Sequence, residues 1–203
     1  MALAFLVDRP RDVRAQSTAP AQTTAAPDFR VEVLGHFDGE AVAAFKQRVQ
    51  EYATLRRRLE AGLPPLVVTL NADEIESFEH RLTERLRDAR HSDRGQVFIP
   101  AMAEQIRKLL ASRADPATIA AIMEDGPGEF DVDVNETYSK ERPLATMPPN
   151  ILLLLPDLPA EVEYRFVGRH LILRDVRANM IIDEIRHAIT CDSCVIKPEA
   201  DEH

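Results

Sequence analysis

Residues 147–186, MPPNILLLLPDLPAEVEYRFVGRHLILRDVRANMIIDEIR, leave this chain fewer choices than any other part. Pro148 and Pro149 can open a short helix over 149–155, and Pro156 and Pro159 stop it, because proline lacks an amide hydrogen and fixes φ. Residues 162–167 then alternate, with Tyr164 and Phe166 on one face and Glu163, Arg165 and Val167 on the other, the period-two pattern of a strand. Gly168 and Arg169 supply a tight turn with a glycine for positive φ. Residues 170–176 return with Leu171 and Leu173 on one face, and Arg177, Ala178 and Asn179 turn the chain again into a third strand over 180–185. The product is a three-stranded antiparallel meander, and three strands need a second layer against one face to be stable.

The preceding sequence offers that layer as helices. Val42, Phe45, Val49, Tyr52, Leu55 and Leu59 recur at three- and four-residue steps, with Asp38 placed as N-cap and Gly62, Pro64 and Pro65 as the stop. A second helix opens at Asn71 with Glu74 three residues on, a capping-box spacing, and carries Ile75, Phe78, Leu82, Leu86 and Ala89. Residues 66–70 are short and β-branched and connect the two as an extended segment or a simple turn, which makes the pair a helical hairpin. Pro100 suits the first turn of a third helix with Met102, Ile106, Leu109 and Leu110 inside. Asp115 followed by Pro116 starts a fourth, with Ile119, Ile122 and Met123 on its buried face. The fold class is therefore α+β: a helical hairpin or bundle body with a C-terminal three-stranded antiparallel β-meander.

With 203 residues, one domain and its tails account for the chain. Residues 1–28 have no periodicity, and the small, polar, proline-containing run AQSTAPAQTTAAP cannot bury enough apolar surface to offset the entropy of ordering it. They read as a disordered N-terminal tail, 29–190 as a single α+β domain, and 191–203 as a C-terminal tail. Runs of this composition follow the cleavage site of exported bacterial proteins. The apolar segment 2–7 is too short for a signal peptide and Asp8 ends it. The reading is a periplasmic or secreted protein whose true start lies upstream of Met1; the alternative is a cytoplasmic protein with a disordered arm.

A net charge of −9 argues against nucleic acid as a partner, because phosphate backbones are held by clustered Lys and Arg. The basic triplet Arg56, Arg57 and Arg58 lies in a mixed-charge helix and reads as a solvated face. Trp is absent and aromatic residues are 5% of the chain, which disfavours stacking platforms. No apolar run reaches the ~18 residues of a membrane span.

The pattern YRFVGRHLILRDVRANMIIDEI resembles the closing hairpin of small exported bacterial proteins, including periplasmic nickel/cobalt-homeostasis proteins. Tyr164, Val167, Gly168, Leu171, Leu173, Ile181, Asp183 and Ile185 fit that form, and Phe166 stands where those proteins usually have Trp. The resemblance covers about a tenth of the chain and the helical body departs from it. What it implies is an exported protein with a structural hairpin, as in families described only as hypothetical proteins; it carries no activity.

Chemistry-bearing residues cluster at the C-terminus. Cys191 and Cys194, in a CxxC, can form a disulfide, cycle redox-wise or supply half a zinc site. His187 and His203 complete a four-ligand metal set of His187, Cys191, Cys194 and His203. Acidic neighbours raise a thiol pKa, and no thioredoxin-like unit precedes the pair, so a local disulfide or an inert tail is the favoured reading. His36, His80, His91 and His170 read as surface or turn residues. Residues 131–135, DVDVN, match the opening of an EF-hand loop, but Glu136 and Arg142 stand where glycine and a bidentate glutamate belong. Alternating Phe130, Val132 and Val134 read instead as a half-buried strand, and the long loop 129–150 is a candidate binding surface. No GxSxG, GxGxxG, GxxxxGK or HExxH is present. The expectation is a non-enzymatic protein without a cofactor that binds an unknown protein or envelope partner, with a zinc or redox thiol protein as the alternative.

Overall fold

Asp38 starts the first helix by accepting a hydrogen bond from Glu40 N at 3.2 Å, so the chain leaves its extended conformation one residue before α1 (Gly39–Ala61). The computed structural model describes residues 37–65, 71–90, 94–126, 132–142 and 144–190. Asn71 caps α2 (Ala72–Ala89): its Oδ1 accepts from Asp73 N at 3.0 Å and its Nδ2 donates to Glu74 Oε1 at 3.3 Å, a variant of the capping box. Proline takes the first turn of α3 (Pro100–Arg113) and of α4 (Pro116–Asp125), where Asp115 also caps Thr118 N at 2.7 Å. The short α5 (Pro149–Leu152) ends sooner than its apolar run. Three strands follow, β1 (Val162–Val167), β2 (His170–Asp175) and β3 (Ile181–Ile185), in the order β1-β2-β3 and antiparallel throughout. The protein is thus α+β with a C-terminal meander, as its punctuation dictates. Residues 1–36, 66–70 and 191–203 lie outside the described residues, and with them the tails, the cysteine pair and the β-branched connector.

Register decides what each sheet face does. Tyr164 pairs with Leu173 and Leu173 with Asp183, while Phe166 pairs with Leu171 and Leu171 with Ile185. Their shared face packs on the helices, where Phe45, Leu82, Leu86, Met102, Ile106 and Leu110 are buried. The rings of Phe45 and Phe98 stack at 5.5 Å and those of Phe98 and Tyr164 at 6.4 Å. Fully burying one such side chain contributes about 1.5–3 kcal/mol, so this seam supplies most of what holds the layers together. Gly168 sits at φ 52, the left-handed region that the first position of a primed hairpin turn requires. Asn179 takes φ 51 at the second turn.

The opposite face carries Val167, Ile172 and Ile181, and it is covered by the loop before α5. Val132 and Tyr138 are buried against those three residues, Leu144 packs beside them, and Thr137 forms an isolated bridge with Met180. This corrects one expectation. Val132 and Val134 do not continue a strand: the chain turns at Val134 and Asn135, which sits at φ 69. Through Val132, Tyr138 and Leu144 the described part of the loop covers this sheet face, while Asp133, Glu136 and Ser139 to Arg142 stay exposed.

A second correction concerns charge. Arg56 is buried rather than solvated, since consecutive helical residues point about 100° apart and only Arg57 and Arg58 of the triplet face outward. Arg56 Nε donates to Asp175 Oδ2 at 3.2 Å and its Nη1 pairs with Glu60.

Candidate functional site

Two aspartates on the helix-facing side of the sheet are fully buried and bolt the helical layer to it. Asp175, at the end of β2, accepts from Tyr52 Oη at 2.7 Å, Arg56 Nε at 3.2 Å, Arg177 N at 2.9 Å and Ala178 N at 2.7 Å. Asp183, in β3, accepts from Gly95 N at 2.8 Å, Val97 N at 2.7 Å, Phe98 N at 2.8 Å and its own neighbour Glu184 N at 2.8 Å. Four donors each fill the acceptor capacity of a carboxylate, which is why burial is tolerated. The first aspartate anchors α1 and the second anchors the connector between α2 and α3.

Where those two anchors meet, the surface is concave. A cavity of about 320 Å³ is walled on one side by Arg48, Tyr52 and Leu55 of α1, which share a helix face at steps of four and three. Arg90, Gln96 and Val97 of the connector form the other side, with Glu51 beside them. Arg90 is the residue at which α2 ends; its N–H still bonds Leu86 O, but its backbone is extended, which swings the side chain inward. Its guanidinium lies over the Tyr52 ring at 4.9 Å, Nη2 donates to Ile182 O at 3.0 Å, and Nη1 is buried without an acceptor among the described residues. Among the described residues, a ring face and a carbonyl meet this charge rather than a paired carboxylate. Arg48 Nη1 reaches across to Gln96 O at 2.8 Å.

Burial pulls the Arg90 guanidinium down from its ordinary pKa, while the Tyr52 phenol and the charges of Asp183 and Asp175 act to keep it protonated. Burial, reinforced by Asp175, pushes the Tyr52 phenol well above its ordinary value, so its hydroxyl stays a donor to the carboxylate and its ring stays available to Arg90. The wall is thus a fixed cation set on a fixed ring.

The residues singled out by sequence fall elsewhere. His187 is exposed, in the left-handed region at φ 49, with its ring 5.2 Å from that of His170. Cys191, Cys194 and His203 lie outside the described residues, as do His36 and His91. Among the described residues no group of three His, Cys, Asp or Glu side chains is placed to hold a metal ion. His80 is exposed as expected, but His170 is not a surface residue. It is buried in β2 beside the buried Glu184, Nδ1 to Oε2 at 3.6 Å, because Arg94 and Arg186 both neutralise that carboxylate at Oε1. The sequence reading missed Asp175, Asp183 and Arg90. Their signal was present: an aspartate two residues beyond Leu173, another two before Ile185, and an arginine at the last turn of an amphipathic helix.

A second concavity, about 420 Å³ between Met147, Leu152 and Leu155 and the strand residues Val162 and Tyr164, also has an arginine in its wall: Arg165, whose Nε is buried without an acceptor among the described residues. No helix among the described residues is long and apolar enough to cross a membrane. Comparison with family models, curated proteins and solved structures finds no match for this chain.

Proposed function

We propose that this chain is a non-enzymatic binding protein whose ligand site is the cavity between α1 and the residues Arg90, Gln96 and Val97. The supporting observation is preorganisation: both walls are pinned from beneath by saturated buried aspartates, so the cavity exists before any ligand arrives. Ligand sites are concave, largely preformed and lined by apolar groups with a few placed polar ones, and the cost of ordering them on binding is small. The export-like N-terminal composition places the protein in the periplasm or outside the cell in this reading, as an envelope-associated binder. A fragment screen by ligand-observed NMR tests it, with Leu55→Trp, at a half-buried wall position, as the filled-cavity control. Hits that bind the wild type and not the filled variant support the reading. Hits indifferent to Leu55→Trp, or none at all, would overturn it.

A further inference from the structure

The cavity's walls also specify a ligand. Resting on the binding reading above, we propose that the site takes a small organic monocarboxylate, its charged end toward Arg48 and Arg90 and its short apolar body against Leu55 and Val97. Three features of the structure lead there. The first is Arg90: a guanidinium whose Nη1 finds no acceptor among the described residues and whose charge meets a ring and a carbonyl. Arg90 lines the cavity, so its guanidinium sets the charge of that wall for an incoming ligand. The carboxylates that act on it at longer range, Asp175 and Asp183, are saturated by other donors and cannot turn to it.

The second feature is Arg48, exposed on α1, which spends Nη1 on Gln96 O and so lies across the cavity with the rest of its planar fork presented to solvent. Arginine is the side chain whose geometry matches a carboxylate with two parallel hydrogen bonds. The third is the company these arginines keep. Glu51 stands in the same wall, its Oε1 accepting from Gln47 Nε2 at 2.9 Å, so among the described lining residues two arginines accompany one carboxylate. A phosphate dianion would find Leu55 and Val97 where it needs donors. The cavity volume of about 320 Å³ accommodates a short apolar body beside the charged group.

The test is a titration of the full chain with sodium hexanoate, and in parallel with hexanamide, hexylamine and inorganic phosphate, read by calorimetry or by protein NMR. Hexanoate is expected to bind at least roughly tenfold more tightly than the amide or the amine, the scale of a charge-assisted hydrogen bond. Arg48→Gln, an exposed position that leaves the core untouched, is expected to weaken hexanoate by a similar factor and to leave the amide unchanged. Arg90→Lys, with its folding verified by urea titration, is expected to lose hexanoate binding while keeping a positive charge, since lysine lacks the planar fork. Equal binding of hexanoate and hexanamide would overturn the carboxylate assignment and leave the binding reading standing. Phosphate outcompeting hexanoate would overturn the organic ligand in favour of an inorganic one. Failure of every probe here, together with an empty fragment screen, would remove the site altogether.

Discussion

Replacing Asp183 with alanine removes the one acceptor that three connector amides share, and the size of the loss follows from which of them water can rescue. Val97 and Phe98 are buried, so their N–H groups, now 2.7 and 2.8 Å from Oδ2, would be left without a partner. Gly95 is half-buried and can find solvent. An unsatisfied buried donor costs about 1–3 kcal/mol, and two of them plus the lost Gly95 bond sum to about 4–6 kcal/mol. Ordinary domains have about 5–15 kcal/mol in all, so the variant should be folded but close to its limit. In a urea titration with a slope of about 2 kcal/mol per molar, the midpoint falls by about 2–3 M at unchanged slope. Asp183→Asn keeps one oxygen for Val97 and Phe98 but turns an amide group toward Gly95 N and Glu184 N; its expected loss is about 2–3 kcal/mol. Glu124→Ala, exposed on α4, serves as the control and should stay within about 0.5 kcal/mol. A loss below about 1 kcal/mol for Asp183→Ala would refute the claim that this carboxylate anchors the connector.

Two further outcomes follow from the same polar frame. Tyr52→Phe deletes the donor 2.7 Å from Asp175 but leaves Arg56 Nε and two backbone amides on that carboxylate, so a urea titration should show a loss of about 1.5–3 kcal/mol rather than unfolding. Acid should destabilise the protein from the ordinary carboxylate range downward. Burial acts to raise the pKa of Glu184 and of Glu163, but His170, Arg186 and Arg94 outweigh it at the first, and Arg165 and Arg174 at the second, so both fold with carboxyls below their usual range. Groups depressed in this way stabilise the fold fully above their unfolded value of about 4.3, and that share is lost as pH falls from there through the folded value. Urea midpoints measured from pH 7 to pH 3 should therefore drop below pH 4.5, and Glu184→Gln should flatten part of the drop; a profile flat to pH 3 would contradict it.

Much of the architecture was legible because it is written in local chemistry. Asp38, Asn71 and Asp115 cap the helices they precede, Pro100 and Pro116 open the next two, and Gly168 and Asn179 turn the meander through positive φ. Each is decided within a few residues of itself. The errors arose where the deciding partner is distant in sequence. Nothing near Arg56 announces Asp175, 119 residues away, and nothing near Val97 announces Asp183, 86 residues away. His170 reads as a turn residue until Glu184 is placed beside it by the β2–β3 pairing. Val132 and Val134 alternate as a strand would, yet Val132 is buried because Ile172 and Ile181 need a cover. The candidate site belongs wholly to this second kind: Tyr52 was visible as a core position, but its meeting with Arg90 is a product of tertiary packing.

The most direct measurement is a ¹H–¹⁵N correlation spectrum of the protein titrated with hexanoate, with the arginine Nε signals included. If the cavity between α1 and the connector is the ligand site, the saturable shifts will concentrate on the Gln96 and Val97 amides and on Arg48 and Arg90 Nε. The second sheet face around Ile172 should stay still. Saturable shifts confined instead to the groove at Met147, Leu152 and Tyr164, or none at the cavity residues, would contradict the account.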